Sequence, residues 1–339
     1  MIVVISNKVT QEQLDQLTDL IESKDLKVHI SKGSTKTIVG IIGDEKKIDT
    51  QELIGFDFVE KVMPVQKPYR RVSREFHPEN TIVDVGKGVK FGGKEIVMIA
   101  GPCAVESEEQ MVAIAGALKK MGVRFMRASA YKPRTSPYSF QGMKEEGLKI
   151  IKKIGEEFDL VTETEVMDVR DVATVAKYVD VIRVGARNTQ NFDLLKEVGK
   201  VDKPVILKNG IATTLDEWLF AAEYIMNEGN NNVILCERGI RTFEPTTRNT
   251  LNLSVIPVLK EITHLPVIVD PCHAAGKRGP IPALSKASIA VGADGLLIEV
   301  HNNPEHACSD QAQQLRPNDF EVLYKDLKRV AKAVDRELV

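Results

Sequence analysis

EIVMIAG (95–101), VRFMRASA (123–130), LVTETEV (160–166), VIRVGA (181–186), PVILKNG (204–210), VILCERG (233–239), PVIVDPCH (266–273) and GLLIEVH (295–301) set a regular beat along the chain. Each is a short apolar run followed by a turn and a stretch with amphipathic helical spacing. Eight β-α units in 245 residues match a (β/α)8 barrel in number and length. A doubly wound sheet usually has about five to seven strands and a glycine-rich first turn. Neither GxGxxG nor GxxxxGK[ST] occurs here. The larger part of this α/β chain, residues 95–339, therefore reads as a TIM barrel.

Residues 1–64 read as a separate compact unit. IVVIS is a strand, and Thr10 caps a helix over 11–23 with Leu14, Leu17, Leu20 and Ile21 on one face. LKVHIS and TKTIVGII are two further strands, with Lys32, Gly33 and Ser34 as their turn. A short helix from Gln51 to Ile54 and the strand FVEKVMPV complete a β-α-β-β-α-β order, the ferredoxin-like split βαβ motif. A boundary follows from Pro64 to Val72, containing Pro68, Arg70 and Arg71. TIVDVGKGVKFGGKEIV carries glycines spaced for a β-hairpin. Residues 65–94 thus form a linker and a hairpin able to plug one end of the barrel.

At 43% hydrophobic, 28% charged and net charge −2, the 339 residues give no general attraction to nucleic acid or membrane. No apolar run reaches the roughly 18 residues of a membrane span. MIVVISNK lacks a signal peptide's basic start and cleavage site, so a cytoplasmic protein is expected. Cysteines 103, 236, 272 and 308 are far apart and form no CxxC pair, which is no disulfide framework.

Two constellations carry the chemistry. Cys103 follows strand 1, His273 follows strand 7, Glu299 lies near the end of strand 8, and Asp310 lies in the loop after it. In a closed barrel strands 7, 8 and 1 are neighbours, so all four fall together on the C-terminal face. A thiolate, an imidazole and two carboxylates suit a divalent transition metal better than magnesium or calcium. The second constellation is basic: Arg127, Lys132, Arg134, Arg183, Arg187, Lys208 and Arg238 recur at or just beyond strand ends. Set against only three acidic metal ligands, these cations imply a ligand set with several negative charges, such as two phosphates and a carboxylate.

GPCAVES, RASAYKPRTSPYSFQG, GARNTQN, LKNG, ERG and DPCH resemble the site motifs of the 3-deoxy-D-arabino-heptulosonate 7-phosphate (DAHP) synthases, in the short form with an N-terminal ferredoxin-like domain. The resemblance implies condensation of phosphoenolpyruvate with erythrose 4-phosphate and release of phosphate. It implies one divalent metal ion per subunit (manganese, iron, cobalt, zinc or cadmium) on Cys103, His273, Glu299 and Asp310. Phosphoenolpyruvate would be held by Arg127, Lys132, Arg187, Lys208 and Arg238. The aldose phosphate would meet Lys132, Pro133, Arg134, Thr135 and Ser136. Lys132 is expected to act as proton donor, with Cys103 and His273 also in the catalytic group.

The same resemblance implies a homotetramer and feedback by tyrosine or phenylalanine on the N-terminal domain, with His29 and Ser31 as contacts. Departures from the family pattern are Cys272 in place of serine, Arg183 in place of glutamine, and Asn302 in place of proline. Cys272 beside His273 raises the expectation of an oxidative bridge to Cys103. Two alternatives stand beside this reading. One is an octulosonate phosphate synthase using arabinose 5-phosphate, although that family resembles KANRSS where this chain has KPRTS. The other is a non-catalytic phosphosugar-binding barrel.

Overall fold

The computed structural model describes residues 1–6, 9–32, 36–63 and 69–339, the side chain of Lys46 excepted. Contacts divide the chain into two units, Met1–Pro68 and Tyr69–Val339. The expected turn at Gly33 and Ser34 and the boundary prolines Pro64 and Pro68 lie outside the described residues.

In the first unit the order is β1 (Ile2–Ser6), α1 (Gln11–Ser23), β2 (Lys27–Lys32), β3 (Lys36–Ile42), α2 (Thr50–Ile54) and β4 (Val59–Met63). The strands are antiparallel in the order β2-β3-β1-β4, so β3 fills the gap left by the β1-α1-β2 crossover. This is the ferredoxin-like fold. Thr10 and Gln13 close a capping box at the start of α1. Alternation along β3 buries Val39 and Ile41 against Leu14, Leu17, Ile21 and Leu53. Ile38 and Ile42 are left exposed on the other face. Pairing of Ser31 with Ile38 and His29 with Gly40 sets His29 and Ser31, both exposed, on that open face.

The second unit opens with a hairpin of β5 (Val83–Asp84) and β6 (Lys90–Phe91). Eight parallel strands follow: β7 (Glu95–Gly101), β8 (Phe125–Arg127), β9 (Val161–Val166), β10 (Val181–Val184), β11 (Val205–Lys208), β12 (Val233–Glu237), β13 (Val267–Val269) and β14 (Gly295–Glu299). They bond in chain order, and β14 pairs back on β7 from Gly295↔Val97 to Glu299↔Gly101. That closes a (β/α)8 barrel. The intervening helices are α3 (Glu108–Met121), α4 (Lys144–Glu157), α5 (Val172–Ala176), α6 (Phe192–Gly199), α7 (Leu215–Asn227), α8 (Val255–Ile262), α9 (Pro271–Ala275), α10 (Ile281–Ala290) and α11 (Pro317–Ala333). A last strand, β15 (Glu337–Leu338), which the sequence reading omits, lies parallel on the start of β7.

Two inward layers explain where the chemistry sits. Val97, Ile99, Phe125, Val161, Val181, Ile206, Ile234, Ile268 and Leu297 pack with Val83, Val85, Val89 and Phe91 of the hairpin, which fills the end where the strands begin. Side chains alternate along a strand, so the next inward positions lie one layer nearer the C-terminal face. Those positions are Arg127, Glu163, Arg183, Lys208, Cys236, Asp270 and Glu299, each buried. The same alternation turns Ile96, Met98, Ala100 and Ile182 outward to the helices. An apolar lower layer thus supports a charged upper one. No helix among the described residues is long and apolar enough to cross a membrane.

Candidate active site

The turn after β7 depends on Gly101. Its φ is +149°, and a Cβ there would lie 2.1 Å from the Arg127 carbonyl oxygen. Only glycine lets β7 and β8 approach this closely while the chain swings Cys103 over the barrel mouth. His273 sits in α9, the single turn after β13, whose N-cap is Asp270. Glu299 ends β14. Asp310 has φ +50°, a left-handed conformation that aspartate tolerates. One ligand atom from each of Cys103, His273, Glu299 and Asp310 lies within 4.8 Å of all the others. His273 Nε2 is 3.4 Å from Glu299 Oε1 and 3.9 Å from Asp310 Oδ2, and Cys103 Sγ is 3.2 Å from Asp310 Oδ2.

Electrostatics show what this group lacks by itself. Burial, reinforced by the Glu299 and Asp310 carboxylates, pushes the Cys103 thiol up to about 12. Burial also lowers the His273 imidazole, against the pull of Asp270, so its neutral form is favoured. Burial opposes ionisation of Asp310, yet His273 when protonated, Lys132 and Arg248 hold its carboxyl well below the usual range. A neutral imidazole, a dry thiol and two carboxylates converge on one point. That donor set would suit a divalent transition metal, whose binding would favour the deprotonated thiol.

The layer around the four joins cations expected from the sequence to partners not singled out there, namely Asp270, Gln313, Glu163, Glu165, Ser129 and Arg248. Asp270 Oδ2 lies 2.6 Å from His273 Nδ1 and 2.5 Å from Lys208 Nζ. Arg127 Nη1 donates to Glu299 Oε1 at 2.6 Å, while Gln313 Nε2 donates to Glu299 Oε2 at 2.6 Å. Arg183 donates to Glu163 at 2.8 Å, to Glu165 at 2.9 Å and to the Ser129 hydroxyl at 2.7 Å. Lys132 Nζ is 2.9 Å from Cys103 Sγ. Arg248 Nη1 reaches Asp310 Oδ1 at 3.3 Å.

These contacts correct the charge balance drawn from sequence. The upper layer is not a ring of cations facing three acids: Glu163, Glu165 and Asp270 are buried among them and pair with Arg183 and Lys208. Arg127 and Arg183 are both neutralised by buried carboxylates, Arg127 by Glu299 and Arg183 by Glu163 and Glu165. The signal was present in LVTETEV, where alternation places Val161, Glu163 and Glu165 on one face. Arg248 and Gln313 lie in long loops that carry no periodic signal.

A cleft of about 270 Å³ opens beside the four ligands. Lys132, Pro133, Arg134, Thr135, Ser136, Arg187, Lys208 and Arg238 all line it, together with His273 and Asp310. Arg127 does not; it is fully buried. Seven cations and two carboxylates, Glu165 and Asp310, face this cleft among the described residues. Gly185 is another close approach, since a Cβ there would meet Glu165 Oε1 at 2.0 Å. His29 and Ser31 belong to the first unit and take no part in the cleft. All four thiols are free, and Cys272 Sγ accepts the Glu299 backbone N–H at 3.2 Å.

A family model described as the DAHP synthetase I family matches residues 79–336, and one for the DAHP synthase ferredoxin-like domain matches residues 1–67. A phospho-2-dehydro-3-deoxyheptonate aldolase of Thermotoga maritima is 47% identical over 98% of each chain. The crystal structure of a Thermotoga maritima phospho-2-dehydro-3-deoxyheptonate aldolase (DAHP synthase) aligns with a TM-score of 0.96 at 46% identity, covering 100% of this chain and 99% of that one. A truncated 3-deoxy-D-arabino-heptulosonate 7-phosphate synthase from Thermotoga maritima aligns at 0.74 with 44% identity, covering 79% of this chain and 98% of its own. A 2-dehydro-3-deoxyphosphooctonate aldolase of Koribacter versatilis is 32% identical over 73% of this chain and 95% of its own length, so the octulosonate alternative is not favoured. With both of its units matched in this way, the chain belongs to the DAHP synthetase I family and is an enzyme, a 3-deoxy-7-phosphoheptulonate synthase.

Proposed function

We propose that the chain catalyses a metal-dependent condensation of phosphoenolpyruvate with D-erythrose 4-phosphate and water. The products are 3-deoxy-D-arabino-heptulosonate 7-phosphate and inorganic phosphate, the first step of the shikimate pathway. The observation that carries this reading is the cleft itself, where seven cations and two carboxylates stand beside a four-residue metal group. Arg134, Arg187 and Arg238, which line the cleft without a carboxylate partner among the described ion pairs, suit phosphate and carboxylate oxygens.

Cys103, His273, Glu299 and Asp310 would hold the metal. When bound, it supplies Lewis-acid polarisation of the aldehyde. Arg187, Lys208, Arg238 and Lys132 take the phosphoenolpyruvate anion, with Arg127 beneath them. Lys132, Pro133, Arg134, Thr135 and Ser136 take the aldose phosphate. C3 of phosphoenolpyruvate forms the new bond to the aldehyde carbon, and Lys132 gives a proton to the aldehyde oxygen. Water adds at C2, and the adduct loses phosphate. Glu165 is suited to orient that water: burial opposes its charge, but Arg183, Lys132 and Lys208 keep it ionised.

The N-terminal unit binds tyrosine or phenylalanine between paired copies within a homotetramer. The exposed sheet face bearing His29, Ser31, Ile38 and Ile42 supports that reading, since polar contacts and uncovered isoleucines share one surface. The test of the activity is product formation with erythrose 4-phosphate and, separately, arabinose 5-phosphate. Phosphate release with the four-carbon sugar alone is expected. Preference for arabinose 5-phosphate would reverse the assignment, and release with neither sugar would favour a binding barrel.

A further inference from the structure

Ser309 precedes Asp310 and is 2% exposed. Its hydroxyl stands between two groups with different tasks. Arg134 Nη1 donates to Ser309 Oγ at 2.6 Å, and Cys103 Sγ lies 3.3 Å from the same oxygen. Gln314 fixes this arrangement from below. Its Nε2 donates to the Ser309 carbonyl at 2.8 Å, and its Oε1 accepts the Cys103 N–H at 2.9 Å. One side chain therefore ties both backbones together and sets the sulfur-to-hydroxyl distance.

A hydroxyl has one proton and two lone pairs, and a guanidinium can only donate. Arg134 therefore occupies a lone pair of Ser309 Oγ and leaves the hydroxyl proton free. Once Cys103 has lost its own proton, its sulfur is an acceptor within reach. We propose that Ser309 is a positioning residue that links the arginine of the aldose-phosphate subsite to the Cys103 thiolate, through Arg134 N–H to Ser309 Oγ and Ser309 O–H to Cys103 sulfur. The link rests on the metal and aldose-phosphate assignments proposed above. The Arg134 charge polarises the hydroxyl and strengthens its donation to sulfur, which tempers the sulfur's electron density. A phosphate that draws the guanidinium into a forked pair alters that donation. Lys132 Nζ flanks the sulfur at 2.9 Å, but Ser309 is the flanking donor that Arg134 touches.

The test uses full-length protein loaded with cobalt(II), because the sulfur-to-cobalt charge-transfer band reports electron density on the thiolate. In the wild type, erythrose 4-phosphate added without phosphoenolpyruvate shifts the band. Ser309→Ala moves the resting band to lower energy and abolishes that response. Ser309→Thr, which keeps a hydroxyl, restores both. Arg134→Met, which leaves Ser309 in place, moves the resting band part of the way toward that of Ser309→Ala and loses the response, so the link remains testable even if Ser309→Ala fails to fold. A wild-type band and a wild-type response in Ser309→Ala overturn the inference, as does a wild-type band that ignores the sugar phosphate. Absence of any sulfur-to-cobalt band in loaded wild-type protein would remove the thiolate from the metal site, and this inference with it.

Discussion

His273 Nδ1 lies 2.6 Å from Asp270 Oδ2, and that bond decides which ring nitrogen the metal group receives. With Nδ1–H donating a hydrogen bond to the carboxylate, Nε2 keeps its lone pair and faces Glu299 and Asp310. Asp270 also accepts the His273 backbone N–H at 2.9 Å and sits beside Lys208 Nζ at 2.5 Å. One buried carboxylate thus orients a metal-group imidazole and a cation of the substrate cleft.

Asp270→Asn should weaken metal binding by about 10–100-fold. It should also raise the KM for phosphoenolpyruvate, because Lys208 loses its fixed counter-charge. Competition against a chromophoric chelator measures the first effect, and steady-state kinetics measure the second. Unchanged metal affinity would show that the imidazole needs no such orientation.

Arg134→Ala should raise the KM for erythrose 4-phosphate far more than that for phosphoenolpyruvate. A lost charge-assisted hydrogen bond costs roughly 1.5–3 kcal/mol, and Arg134 lines the cleft with Thr135 and Ser136. Equal changes in the two constants would contradict the division of the cleft.

The barrel unit should lose stability in mild acid, in part through His264. This buried ring lies 2.6 Å by Nε2 from the Arg71 carbonyl and 2.6 Å by Nδ1 from the Thr81 hydroxyl. Burial, aided by the charges of His77 and Arg74 and opposed by the Arg71 carbonyl and Glu223, lowers its pKa. The unfolded chain therefore takes up the proton first as pH falls. The stabilising contribution is complete above about 6.5 and is lost as pH drops through the folded value. Melting temperatures between pH 7 and 5 should fall for the wild type and fall less steeply for His264→Gln. Identical slopes would remove His264 as a source of the acid sensitivity.

The barrel was legible because its lower inward layer, from Val97 and Phe125 to Leu297, is uniformly apolar and repeats at every strand. Cys103, His273 and Glu299 were legible because they stand at or just past the ends of apolar runs, whereas Asp310 lies in the irregular loop after the last one. The short strand β15 was not, because Glu337–Leu338 is held by main-chain pairing with β7 and has no side-chain pattern of its own. The ion network was partly hidden. Glu163 and Glu165 alternate visibly in LVTETEV, but their pairing with Arg183 is a relation across strands that a single run does not display. Ser309, Gln313 and Gln314 lie in an irregular loop whose neighbours only closure of the barrel brings near.

Removing residues 1–68 should leave a catalytically competent barrel that no longer responds to tyrosine or phenylalanine. Each unit has its own core, and every cleft residue lies in the second. Inhibition requires the effector to favour one state of the enzyme over another, so deleting its binding unit must remove it. Titrating both amino acids against full-length and truncated protein decides the matter. Equal inhibition of the two forms would place the sensor elsewhere.

The most direct test of the central claim is phosphate release from phosphoenolpyruvate and erythrose 4-phosphate by metal-stripped protein, before and after manganese(II) is added. The wild type should be inactive when stripped and recover on metal addition. Cys103→Ala, with the softest donor gone, should neither retain the ion on a desalting column nor recover turnover. Full turnover by metal-free wild type, or by metal-free Cys103→Ala, would contradict the account.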